Sequence, residues 1–463
     1  MSQKEYINPF SQVSEIYAQK LDDASMSGDV VLLEQLVCEI EKTLPDVDAA
    51  SQARLYYSIG TVYSDVAQAK SLSHEKSIKK QLYAFRKSVG IIEDEEYSKE
   101  EYAPYVNPFK CLLYTNYGNT LCSCGRNIEA IAQYKKAINI YPLFGMAIGN
   151  HCFLRAMAVY IPQYVEGFLQ KDLEIPQFSY ENCEEKMYRE WAVENNLFLN
   201  TLNDLPVVEL CFATDVLQLP DMIVSIDAKP IFHGMFNQIK QEYVYARYQY
   251  YLSLQFREEV HYADKETHLI NFADFPQYGI RIEQLKSAFK TLYGLFDKIA
   301  YFLNSYFELG IHERDVSFNH IWLTGFGAGK NHYEYKNVLN HKENFALASL
   351  YWISRDFYDK YEDSPNPRLK RISDVRNALE HKYVKVTNGC FPARVNGEID
   401  DLALYVTEDE LSALTLELMH IVREAIICVS LCVHVEEQKN RDQLQNKLIM
   451  PMPLMEYDDE WKL

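Results

Sequence analysis

A chain of 463 residues is long enough for two or three domains, and a hydrophobic content of 48% supports buried cores, which excludes a disordered protein. With only 17 Gly and 16 Pro, a loop-rich β architecture is disfavoured, and long runs of helix formers carrying Tyr, Phe and Leu predict an all-α fold. The formal net charge of −20 repels nucleic acid on average, so any nucleic-acid contact has to come from a local basic patch. The ten cysteines contain no CxxC pair, which argues against a zinc ribbon or a thioredoxin-type site and fits a reducing compartment. The opening MSQKEYINPF is polar, and the longest apolar run, Ala425–Val435, is shorter than a bilayer span. The expectation is a cytoplasmic protein with no membrane contact.

Residues 1–165 carry paired helices. In CLLYTNYGNTLCSCGRNIEAIAQYKKAINIYP, large and small residues alternate at Tyr114, Tyr117, Gly118, Leu121, Ala130, Tyr134 and Ala137, and Pro142 closes the second helix. Gly118 and Ala130 allow two antiparallel helices to approach closely. A second copy, ARLYYSIGTVYSDVAQA, has Tyr56, Gly60 and Tyr63, and a third, degenerate one starts at GMAIGNHCFLRAMAVY. The pattern resembles the tetratricopeptide repeat, which implies a concave surface able to take a protein or peptide partner.

Residues 166–229 read as a connector, mainly helical. From 230 to 445 a long amphipathic helix, IFHGMFNQIKQEYVYARYQYYLSLQFREEV, precedes four further helical segments with the apolar periodicity of a bundle. The segments are RIEQLKSAFKTLYGLFDKIAYFLNSYFELG, KENFALASLYWISRDFYDKY, SDVRNALEHKYVKV and EDELSALTLELMHIVREAIICVSLCVHVEEQKN. A long loop from Gly310 to His341 joins the first two, and the insert TNGCFPARVNGEID between the last two has the look of a hairpin. Residues 446–463 form a tail.

The third segment holds the chemistry. Ser373 reads as its N-cap, with Asp374 in the first turn. Asn377 and His381 are four apart and share a helix face, while Arg376 and His381 lie about 140° apart, an angle a long guanidinium can span. A histidine moves protons near neutral pH and an arginine forks onto phosphate, a pair suited to acid–base cleavage of a phosphodiester. If the nucleophile is the 2′-hydroxyl of RNA, neither metal nor cofactor is called for. The alternative reading is a surface Arg376–Glu380 ion pair beside a histidine in a helix interface. Around the motif, Arg368, Lys370, Arg371, Lys382 and Lys385 join Arg376 against only Asp374 and Glu380, a basic stripe expected to bind an anionic polymer.

RNALEH, at the third helix of this bundle, resembles the Arg-x4-6-His signature of the HEPN superfamily. That resemblance implies a HEPN-like four-helix bundle and a metal-independent endoribonuclease leaving a 2′,3′-cyclic phosphate and a 5′-hydroxyl. It implies a homodimer with facing motifs, RNA as the partner, and a role as a toxin or in antiviral defence. Arg376 would stabilise the scissile phosphate, Asn377 would orient the site, and His381 would move the proton. A non-catalytic repeat-plus-bundle interaction or nucleotide-binding scaffold is the competing reading. RDVSFNH, Arg314 to His320, repeats the residue types with one more spacer, but in the long loop, where rigid placement is not expected. GFGAGK, Gly325 to Lys330, lacks the spacing and the Ser/Thr of a phosphate loop, and HYADKETH lacks rigid metal-ligand spacing.

Overall fold

The computed structural model describes residues 6–68, 74–142, 145–146, 180–204, 212–223, 229–255, 259–270, 276–324, 334–335, 343–358, 366–388, 402–443, 454–455 and 457–462. The fold is all-α, with twelve α-helices among the described residues and only two short two-stranded sheets. Six helices form the N-terminal part: α1 (Gln12–Ser27), α2 (Val30–Thr43), α3 (Ala49–Gln68), α4 (His74–Ile92), α5 (Ala103–Ser123) and α6 (Asn127–Ile140). They stack as hairpins, α3 on α4 and α5 on α6, with α4 against α5. The glycines act as their positions suggest. A Cβ on Gly60 would sit 2.7 Å from the Phe85 ring, and one on Gly118 would sit 2.6 Å from Tyr134, so each hairpin closes around a glycine against an aromatic ring. The third degenerate repeat lies almost wholly outside the described residues.

Of the connector, only α7 (Cys183–Glu194) is a helix of any length among the described residues. The chain from Asn195 to Ile223, where described, is irregular rather than mainly helical. It is nevertheless well anchored. Leu197, Phe198 and Leu199 are buried, the fully buried Arg423 binds Asp204 at 2.8 Å and the Phe198 carbonyl at 2.6 Å, and Arg247 binds Asp215 at 2.6 Å.

The C-terminal bundle comprises α8 (Ile231–Leu254), α9 (Ile280–Tyr306), α10 (Phe345–Tyr358), α11 (Pro367–His381) and α12 (Glu408–Gln443). Helix α12 runs through its centre, packed on α8, α9 and α10. The Ala425–Val435 run belongs to this longer helix. By length and composition α12 could cross a membrane, but 78% of its most apolar window is buried inside the protein, as in a core helix. One apolar core continues from the hairpins through the connector into the bundle, joining Phe85, Tyr134, Phe198, Phe289, Leu350 and Val422.

Hairpins and bundle meet over a buried charge network. Asp356 of α10 takes two hydrogen bonds from Arg86, at 2.6 and 2.9 Å, and one from Arg126 at 2.7 Å. Arg126 also reaches Glu129 at 2.7 Å and Glu424 of α12 at 3.3 Å. Next to it, Gly125 has φ +81°, and a Cβ there would lie 2.2 Å from the Phe345 carbonyl oxygen. Gly125→Ala is therefore expected to destabilise the protein by about 2–4 kcal/mol, combining the left-handed penalty with overpacking against backbone. A urea denaturation midpoint unchanged from that of the parent protein would contradict it.

Candidate functional site

Helix α11 starts seven residues earlier than its sequence suggests, its N-cap falling at Asn366 rather than Ser373. Asn366 is the N-cap, its Oδ1 accepting from the Arg368 N–H at 3.0 Å, and Pro367 fills the first turn, where its missing N–H costs nothing. Ser373 lies inside the helix. Asn366→Ala is accordingly expected to cost about 1 kcal/mol and Ser373→Ala much less, measured by chemical denaturation. Equal losses would contradict this start.

The helix ends at His381, also earlier than expected. Tyr383, Val384 and Val386 favour an extended chain, and Tyr383–Thr387 forms a strand paired with Ala403–Thr407. The pairing is parallel, Tyr383 opposite Ala403 and Thr387 opposite Thr407, so the ends of the intervening insert are not arranged as a hairpin. Parallel strands need a crossover connection; residues 389–401, most of the insert, lie outside the described residues. Gln277 donates its backbone N–H to the Val386 carbonyl at 2.7 Å, tying this strand to the entrance of α9.

The three motif residues sit in the last two turns of α11. Arg376 is half-buried, its Nη1 donating to Asn377 Oδ1 at 3.0 Å, and its guanidinium lies 5.0 Å from the centre of the buried Tyr293 ring on α9. That contact is a cation–π interaction, which sets the guanidinium plane on the bundle rather than in bulk water. Asn377 and His381 are both exposed. The Arg376–Glu380 ion pair that the spacing allows is not formed among the described residues.

The basic stripe is narrower than the sequence suggests. Lys385 is buried at 4% exposure between the Tyr383 and Tyr405 rings, 5.3 and 5.5 Å from their centres, and is removed from any surface patch. Arg371 is held by Glu410 at 2.6 Å and by the Tyr405 carbonyl at 3.0 Å. Arg368 lies 3.6 Å from Glu417, and Lys370 3.9 Å from Asp374, but both keep exposed heads, and Lys382 is exposed beside His381. Arg368 and Lys382 thus keep outward-facing charge, Lys370 stays partly exposed beside Asp374, and Arg371 and Lys385 are committed to the contacts above.

Two residues that sequence reasoning passed over join the site from α9. Tyr293 and Asp297 are four apart, so they share a face. Burial pushes the Asp297 carboxyl up, opposed by the Phe318 N–H at 3.4 Å and by the charges of Arg376 and His320. His320 ends the RDVSFNH stretch, whose last turn is anchored at Phe318 while Arg314 and Asp315 stay exposed. Phe318 and Ile321 are fully buried, Trp322 nearly so, and Ser354 donates to the Phe318 carbonyl at 3.0 Å. The missed signal was an aspartate inside the apolar stripe LYGLFDKIAYFL. GFGAGK lies outside the described residues, and in HYADKETH, Asp264 caps the N-terminus of α9 by accepting from the Ile280 N–H at 2.9 Å.

Comparison with known families places a match to LA2681-like HEPN over residues 223–436, the bundle with its entrance, and the match does not extend to the N-terminal hairpins. No curated protein and no solved structure matches the chain.

Proposed function

We propose, from the HEPN likeness of residues 223–436 and the placement of RNALEH within them, that the protein is a metal-independent endoribonuclease. Its 2′-hydroxyl nucleophile comes from the RNA, and the products carry a 2′,3′-cyclic phosphate and a 5′-hydroxyl. The observation that carries the reading is the joint disposition of three side chains at the end of α11: an exposed imidazole, a guanidinium steadied over Tyr293, and an asparagine bonded to that guanidinium. Arg376 would meet the charge that grows on the non-bridging phosphate oxygens. Asn377 would hold the guanidinium plane. His381, unhindered by packing, would take or return a proton. Arg368, Lys370 and Lys382 would steer the polyanion to a protein that is otherwise strongly acidic.

In this reading the protein acts as a homodimer in the cytoplasm with two facing motifs, in a toxin or antiviral setting, and the hairpins offer a docking surface to a protein or peptide partner. The exposed imidazole favours this over a purely structural role, since a structural histidine at a helix interface would be covered. The test is incubation of purified full-length protein with RNA in excess chelator. Cleavage under those conditions supports the reading, whereas RNA binding without cleavage would return the protein to the scaffold class.

A further inference from the structure

We propose that the buried charge cluster joining the hairpins to the bundle is a proton-sensitive clasp, which takes up one proton on Glu424 of α12 and grips more firmly in that form. The inference stands apart from the ribonuclease reading, since it concerns how the two regions are held together.

Five ionisable side chains meet at the junction. Arg86 comes from α4, Arg126 and Glu129 from the start of α6, Asp356 from α10 and Glu424 from α12. The side chains of Arg86, Arg126, Asp356 and Glu424 are 7% exposed or less. Within this cluster of described residues, two cations stand against three carboxylates. The guanidiniums cannot give up their protons. A surplus negative charge away from water is costly, and one added proton removes it.

The three carboxylates are not equally served. Asp356 accepts from the two arginines at 2.6, 2.7 and 2.9 Å. Glu129 has Arg126 at 2.7 Å and the Tyr117 hydroxyl at 2.6 Å. Glu424 has longer contacts, 3.3 Å from Arg126 Nε and 3.4 Å from the Ser349 hydroxyl, and both fall on one oxygen, Oε1. The added proton therefore goes to the carboxyl that is bonded worst.

The surroundings act in the same direction. Burial raises the Glu424 carboxyl to about 7 against the pull of Arg126, and the like charges of Glu129 and Asp204 add to the rise. On α12 itself, the titratable neighbours one turn away are His420 and Cys428. Arg423, the preceding residue, is bound to Asp204 at 2.8 Å, and Lys135 of α6 and His420 face that pair. Glu417, two turns back, faces Arg368 at 3.6 Å. Beside Arg126, burial pushes the Cys124 thiol up to about 12, so it stays neutral.

A carboxyl raised in this way is protonated in the folded protein where the unfolded chain would ionise it. Folding then takes up a proton between about pH 4.5 and about 7. The stability contributed falls as pH rises through that window and levels off above it. Mild acidification thus strengthens the grip of the hairpins on α10 and α12. Helix α10 also packs on α11, so the clasp fixes a helix on which the motif-bearing helix rests.

The experiment is urea unfolding of the full-length chain from pH 5 to 8 for wild type, Glu424→Gln and Glu417→Gln. Glu424→Met, neutral and of similar length, serves should Glu424→Gln fold poorly. Glu424→Gln keeps the neutral form at every pH, so the ratio of wild-type to variant folding constants isolates the one proton. That ratio is expected to fall by about tenfold per pH unit in the middle of the window and to become flat above about pH 7.5. Glu417→Gln, a second buried-side carboxyl pushed up on the same helix, should keep the wild-type slope. The inference is overturned if wild type and the neutral Glu424 variants run parallel across the window, or if the slope disappears in Glu417→Gln instead.

Discussion

Replacing His381 by alanine is expected to slow RNA cleavage by about 10²- to 10⁴-fold, the usual loss when a positioned acid–base group is removed. The side chain is exposed at the last residue of α11, so the change should leave folding and thermal stability almost untouched. Arg376→Ala should cost about 10²- to 10³-fold through lost stabilisation of the charged transition state, with a small stability loss from the contact with Tyr293. Arg376→Lys retains the charge and loses the planar fork, so it should fall between alanine and wild type. The double variant should be little worse than the poorer single one, because the two groups act on one transition state. Initial rates on a labelled RNA, with matched unfolding curves, test all four. Wild-type rates in both alanine variants would place the two residues outside any active site.

Asp356→Asn is expected to destabilise the fold by about 3–5 kcal/mol, a large part of the total stability of a protein this size. Asp356 is 1% exposed and is shared by Arg86 and Arg126, so removing its charge leaves two buried guanidiniums to share Glu129, at 3.5 and 2.7 Å, with Glu424 reaching only Arg126. Neither can neutralise itself, since an arginine stays protonated. Glu424→Gln makes the informative contrast. Burial pushes the Glu424 carboxyl up to about 7, so its charge is held less firmly there than in water, and loss of that charge should cost less than loss of Asp356. Because Asp356 lies on α10 and its partners lie in the hairpins, the damage should appear as separation of the two regions. Urea denaturation followed by both tryptophan fluorescence and circular dichroism measures it. Coincident curves at the parent midpoint would show that the network contributes nothing to docking.

Helix patterning made the outlines of this protein readable. The apolar periods of α9 and α12, and glycines 60 and 118 set against aromatic residues, follow from local sequence because they depend on neighbours within one or two turns. The start of α11 was also written locally, in Asn366–Pro367, but Ser373 offered the same capping chemistry closer to the motif and drew the boundary inward. The end of α11 was not local. Tyr383–Thr387 becomes a strand because Ala403–Thr407 is there to pair with it, and no periodicity within either segment announces a parallel partner across an insert. The same limit applies to charge. Lys385 and Arg371 read as surface cations, yet one is buried between tyrosines and the other bound to Glu410, contacts set by tertiary packing. Arg423 could have been recognised, since an arginine amid HIVREAIICV must find a partner inside the core. Asp297 could have been found by the same reasoning. The anchoring of the Phe318 turn to Asp297 depends on the packing of Phe318 against Phe296 and lay beyond any spacing argument.

The central claim is that Arg376 and His381 direct a ribose 2′-hydroxyl onto its own phosphate. End-group analysis of RNA treated with the purified protein in excess chelator addresses this most directly, with His381→Ala in parallel. The account predicts fragments ending in 2′,3′-cyclic phosphate and beginning with 5′-hydroxyl, and intact RNA with the variant. Fragments bearing 5′-phosphate and 3′-hydroxyl, or the same products from His381→Ala, would contradict it.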